Sequence, residues 1–136
     1  MIRKAVLIAL VILAVAVALF IFLNNKILCC AGPVVVFNPT PNAVISSPIL
    51  ISGQARGFWF FEASFPVKLL DGRGTLLAIG IAQADGDWMT EDLVPFNAKI
   101  EFTMPSSTKG VLVFKKDNPS GLPQNDAEIR VPVRFK

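Results

Sequence analysis

Four carboxylates crowd the stretch Ala84-Asp85-Gly86-Asp87-Trp88-Met89-Thr90-Glu91-Asp92, and side-chain oxygens gathered in this way are the donors a calcium ion takes. The offsets do not match an EF-hand loop, which needs its glycine and a bidentate glutamate at set positions, so the stretch reads as a polar turn built on Asp-Gly pairs. Ser106-Ser107-Thr108-Lys109 spells Ser-x-x-Lys, the spacing at which a helix brings a serine and a lysine together for acyl transfer. Here it falls between two expected strands, beside Gly110, and reads as a solvated turn. The chain has no histidine, which excludes Ser-His-Asp and Cys-His nucleophiles and His-based zinc sites. No motif sets two carboxylates at the separation that glycoside hydrolysis needs. The expectation is a non-enzymatic protein with no catalytic residue, no cofactor and no metal.

Binding chemistry is better represented, in Gly57-Phe58-Trp59-Phe60-Phe61-Glu62-Ala63-Ser64-Phe65. If one strand runs through it, Trp59, Phe61, Ala63, Phe65, Val67 and Leu69 share a continuous apolar face that belongs in a core. Phe58 and Phe60 then fall on the opposite face with Glu62, Ser64, Pro66 and Lys68. They are either covered by neighbouring chain, the usual fate of phenylalanine, or exposed as a contact patch. Trp88, in a loop between strands, is the third candidate for partner contact. Its alternative role is packing over the end of the fold.

These residues must be held by something, and the chain divides into two compositions. From Ala5 to Leu23 it is apolar without interruption for 19 residues, and all ten prolines and nine glycines come later. As a helix this run would span roughly 28 Å, close to the thickness of a bilayer's hydrocarbon core. It is longer than the apolar part of a cleaved signal peptide, so an uncleaved anchor is expected over residues 1–26, with the transmembrane helix at 5–23. Arg3 and Lys4 precede the run and Lys26 alone follows it, which places the N-terminus in the cytoplasm and the rest outside. A short tether, 27–33, holds the adjacent Cys29 and Cys30. Neighbouring cysteines rarely bridge each other, but in an oxidising compartment they could join two chains as a homodimer.

Beyond residue 33 the period changes. In Glu128-Ile129-Arg130-Val131-Pro132-Val133-Arg134-Phe135-Lys136 apolar and polar side chains alternate, the mark of a half-buried strand, and Lys99 to Met104 follows the same rule. About seven such runs occur, near 34–37, 48–55, 59–70, 75–83, 96–104, 110–116 and 127–135. Turn chemistry separates them, as in Asp71-Gly72-Arg73-Gly74 and in Asp117 through Pro123. Residues 34–136 are thus expected to form an all-β, immunoglobulin-like antiparallel sandwich, with a small barrel as the alternative closure. The cysteine and tyrosine hallmarks of antibody domains are missing. Of 13 basic residues Arg3, Lys4 and Lys26 lie before this region, leaving ten against ten acidic residues. A domain without net charge has no sequence-independent hold on phosphates, so nucleic acid is not an expected partner. Asn38-Pro39-Thr40 and Asn118-Pro119-Ser120 are barred from N-glycosylation by their prolines.

Ser47-Pro48 leading to Ser52-Gly53, then Phe61-Glu62-Ala63, the Asp71–Gly74 turn, and the closing Ile129-Val131-Pro132-Val133 strand carry a family resemblance. Residues 34–136 resemble the immunoglobulin-like domain of bacterial spore germination and sporulation proteins. The resemblance implies an extracytoplasmic module that contacts proteins or cell wall and has no catalytic residues to carry over. The combined expectation is a single-pass protein of the cytoplasmic membrane. Its outer domain binds envelope proteins or wall polymer, or alternatively stacks peptidoglycan sugars on Phe58, Phe60 or Trp88.

Overall fold

The computed structural model describes residues 11–18 and 32–136. It divides into two units, Met1–Gly32 and Pro33–Lys136. In the first, residues 11–18 are helical. Among the described residues no helix is long and apolar enough to cross a membrane. Most of the anchor expected over 5–23, and Cys29 with Cys30, lie outside the described residues.

The second unit is all-β, with eight strands: β1 (Val34–Asn38), β2 (Val44–Ile45), β3 (Ile49–Arg56), β4 (Ser64–Asp71), β5 (Leu76–Ala84), β6 (Leu93–Ile100), β7 (Lys109–Lys115) and β8 (Glu128–Phe135). They form one curled sheet in the order β1-β3-β6-β5-β4-β7-β8-β2. β5 and β6 are paired only through Gln83 with Asn97 and Ala84 with Phe96. That short seam joins two layers, β1-β3-β6 and β5-β4-β7-β8-β2, whose inner side chains meet. Phe65 of β4 meets Phe96 of β6 edge-on, centroids 5.0 Å apart, and Phe96 in turn lies 6.1 Å from Phe114 of β7. The core cluster, which also contains Ile51, Leu69, Leu112 and Val133, draws only on residues 34–135. This unit therefore has a core of its own, as an independently folding domain requires.

The alternation read from the sequence holds where strands are half-buried: in β8, Val131, Val133 and Phe135 are buried, and Glu128, Arg130, Pro132 and Arg134 are exposed. Three boundaries differ. The strand expected at 96–104 runs Leu93–Ile100, and Met104, expected inward, is exposed. β2 is an additional strand, and its pairing with β8 is parallel where an all-antiparallel sandwich was expected. Two residues are too few to show a period, and only the crossing from β1 to the far layer brings them beside Arg134 and Phe135. The third difference, at 59–63, bears on the candidate site.

The Asp71–Gly74 turn is closed by its own carboxylate. Asp71 Oδ1 accepts the backbone N–H groups of Thr75 and Arg73, each at 2.8 Å, and Gly74 takes φ +85°. The Thr75 N–H first, and the Arg73 N–H and charge after it, hold this carboxyl below the ordinary carboxylate value, against a smaller opposing effect of desolvation. A carboxyl with a lowered folded-state pKa stabilises above its unfolded pKa, and that contribution fades as pH falls through the folded value. Asp71→Asn should therefore melt below the wild type at pH 7. The two melting curves should converge as pH falls through the lowered folded-state value; a gap that stays constant with pH would assign the loss to geometry alone.

Candidate functional site

Three loops meet at the end of the domain where the chain enters. Residues 57–63 join β3 to β4, 85–92 join β5 to β6, and 116–127 join β7 to β8. Backbone bonds lock them together. Gly57 N–H donates to Asp92 O at 3.1 Å, Asp117 N–H to Trp59 O at 3.1 Å, and Ala84 N–H to Ala63 O at 2.8 Å. Arg56 Nη1 adds a bond to Glu91 O at 3.2 Å. Arg56 N–H donates to Pro33 O at 2.8 Å, so the first residue of the unit lies at this same end.

The aromatic run does not continue as a strand. Gly57–Trp59 forms a 3-10 turn, and Phe61 and Ser64 close a two-residue hairpin by exchanging N–H···O bonds of 3.0 and 3.1 Å. Its central residues, Glu62 and Ala63, have φ of +49° and +62°. Those two left-handed residues rotate the chain and invert the expected sides. Phe60, a candidate for contact, is 4% exposed and packs edge-on against Phe65 at 5.1 Å, while Phe61, expected in the core, is 41% exposed. Trp59 is buried as expected, with its indole N–H unpartnered. Phe58 is 57% exposed, and Lys116 Nζ lies 5.7 Å from its ring centroid. Trp88 is half-buried against the core cluster, so it packs over the end of the sandwich.

Left-handed backbone is costly for residues with a Cβ, roughly 1–2 kcal/mol each, and turns of this shape prefer Asn-Gly. Replacing Glu62-Ala63 by Asn-Gly should raise stability by about 1–3 kcal/mol, read as a higher melting temperature. No gain would mean that Glu62 makes compensating contacts. Backbone strain concentrates at functional sites more often than elsewhere, and here it holds Phe61 outward.

The loop 116–127 forms the other wall of a hollow of about 360 Å³ bordered by Phe58, Phe61, Lys116, Asn118, Ser120 and Asn125. Asn118 organises this loop: its Nδ2 donates to Leu122 O at 2.9 Å and to Asp126 Oδ1 at 2.8 Å, and Ser120 Oγ donates to its Oδ1. Asn125 Nδ2 completes the set with a 3.0 Å bond to Ser120 Oγ. The result is an aromatic shelf facing a pre-organised amide and hydroxyl wall, with one ammonium between them. Reading the sequence alone missed Phe61, Lys116 and this loop as site components. The Asn, Pro, Ser and Gly of 117–123 signal a loop, but nothing local tells which other loop it meets.

The remaining sequence candidates resolve into turns. Asp87 Oδ1 accepts Met89 N–H at 3.0 Å. Among the described residues no group of three or more His, Cys, Asp or Glu side chains is placed to hold a metal ion. Ser107 Oγ donates to Lys109 O at 2.8 Å and accepts Gly72 N–H at 3.2 Å. Ser-x-x-Lys is therefore the irregular start of β7 and not a helical turn.

Residues 33–122 match a family described as the immunoglobulin-like domain of bacterial spore germination. β8, which completes the sheet beside β7 and β2, lies beyond the matched stretch. No curated protein and no solved structure matches the chain.

Proposed function

Because the chain belongs to the family of immunoglobulin-like domains of bacterial spore germination, we propose that it is a non-enzymatic binding module, anchored in the cytoplasmic membrane by residues 5–23 with the β domain outside. Its loop end contacts envelope proteins or cell-wall polymer. The observation that carries this reading is the pair Phe58 and Phe61, held in water on well-bonded loops beside Lys116. Exposed aromatics near a cation are the usual anchors of recognition surfaces. The apolar run 5–23 and the basic residues Arg3 and Lys4 support the anchor and its orientation. A short tether to the membrane would keep the domain concentrated near other envelope components, so a weak surface could serve.

The test is a photo-crosslinking residue at position 58 in the intact protein in its native membrane, with the same residue at exposed Leu50, on the opposite end of β3, as control. Adducts specific to position 58 are expected. Equal labelling from both positions would refute the loop end as the contact surface. In cells with a permeabilised outer barrier, added protease should cut the loop 116–127; a fully protected domain would refute the topology.

The hollow also favours a second reading. An aromatic shelf beside the Lys116 ammonium and the Asn125 amide pairs stacking with polar groups, as sugar recognition requires, while Asn118 and Ser120 spend theirs on holding the loop. Peptidoglycan fragments should then bind the domain and lose affinity in Phe58→Ala. Binding unaffected by that change would leave the protein-contact reading alone.

A further inference from the structure

The domain's ten basic and ten acidic side chains are unevenly spread over its surface. On the outer face of β5-β4-β7-β8, side chains alternate with the buried ones, and that face carries Lys68, Lys109, Lys115, Arg130, Arg134 and the following Lys136. Its one acid is Glu128, already paired with Arg130 at 2.7 Å. The three loops hold the opposite sign: Glu62, Asp85, Asp87, Glu91 and Asp92, with Asp117 and Asp126 at the border they share with Lys68 and Lys115, against Lys116 and the adjoining Arg56.

Lys109 and Arg134 are direct register partners on adjacent antiparallel strands. Like charges so placed destabilise a sheet. Neither joins the two ion pairs found among the described residues, Lys99–Glu101 and Arg130–Glu128. Both surfaces also expose apolar groups. The sheet face has Ile79 and Ile81, about half exposed, next to register partners Lys68 and Pro66. The loop end has Phe58, Phe61, Met89 and Leu122. Val113 is buried although it faces outward between Lys68 and Arg130, as the aliphatic stems of flanking cations allow.

We propose that the acidic, apolar-tipped loop end of one copy seats on the basic, apolar-floored sheet face of a second copy. Charge selects this arrangement. Two sheet faces together would oppose twelve cations, and two loop ends would oppose their carboxylates, whereas loop end on sheet face joins opposite signs over matching apolar ground. The two patches differ, so the contact is heterologous and leaves the face of one copy and the loop end of the other free, which allows clusters larger than a pair. The proposal rests on the loop end being a contact surface, as under Proposed function, and does not depend on the anchor.

The domain 33–136, which has its own core, is tested by sedimentation at low salt and in 1 M salt, where the screening length falls to about 3 Å. Oligomers are expected at low salt and monomers at high salt. Lys109→Glu with Arg134→Glu reverses the face, and Asp85→Lys with Glu91→Lys reverses the loop end. Each pair alone should lower self-association at least tenfold, and mixing the two variants should restore association between them. A domain that stays monomeric at low salt and millimolar concentration overturns the proposal, as does association that ignores the face reversal. If Phe58→Ala with Phe61→Ala weakens crosslinking to envelope components while the wild-type domain never self-associates, the second copy is refuted as occupant and the loop-end reading stands.

Discussion

Phe96→Ala should destabilise the domain by about 3–5 kcal/mol, the usual cost of deleting a buried phenylalanine. The ring is 1% exposed. It sits on β6 beside the seam between the layers, opposite Ala84 of β5 and Gly53 of β3, and contacts the rings of both Phe65 and Phe114. Loss of the edge-on pair with Phe65 adds to the cavity term. Domains of about this size hold 5–15 kcal/mol in total and shift roughly 4–8 °C per kcal/mol, so the melting temperature should fall by more than ten degrees. Leu50→Ala, at a side chain 64% exposed on neighbouring β3, should stay within about 0.5 kcal/mol. A Phe96→Ala loss below about 1 kcal/mol would mean that the two layers do not share this core.

Gly57→Val should separate the three loops. A Cβ at position 57 would lie 1.8 Å from Thr90 O and 2.4 Å from Trp88 O. Both are backbone atoms, which cannot swing aside as a side-chain tip can. The loop 85–92 must move off, breaking the Gly57–Asp92 bond and lifting Trp88 from the core. Overpacking commonly costs about 1–3 kcal/mol, and rigid backbone puts this case at the upper end. Amide hydrogen exchange should rise across 57–63 and 85–92 and stay unchanged in β7 and β8. Any contact made by Phe58 and Phe61 should weaken with it. Unaltered exchange in 85–92 would show that the close approach is not what holds the loop end together.

The fold was legible where one side of a strand meets the core and the other meets water, because that boundary writes a period of two into the chain. β8 is the plainest case, and the outward placement of Lys99 and Glu101, which pair at 2.6 Å, is another. Legibility failed at Phe60 and Phe61. Counting by twos presumes extended backbone throughout, and Glu62 and Ala63 are left-handed, so Phe60 and Phe61 before the turn fall out of phase with Phe65 after it. It failed also at β2, whose two residues are a strand only because Arg134 and Phe135 lie alongside. Of the candidate contacts, Phe58 stands as an exposed aromatic, Trp88 packs over the end of the sandwich and Phe60 is core. Phe61 and Lys116 enter the site through the meeting of loops about fifty residues apart in the chain.

The amino-acid sequence alone determined the absence of histidine chemistry, the all-β class of residues 34–136, the apolar run before them and the equality of positive and negative charges. Those are properties of composition and of near neighbours, and folding cannot alter them. Which aromatics face water, and where the charges gather, was decided only by the tertiary structure. Net charge is a sum that ignores position, whereas the surface a partner meets is built from strands and loops remote in sequence. A chain region of zero net charge therefore folded into one basic face and one acidic end.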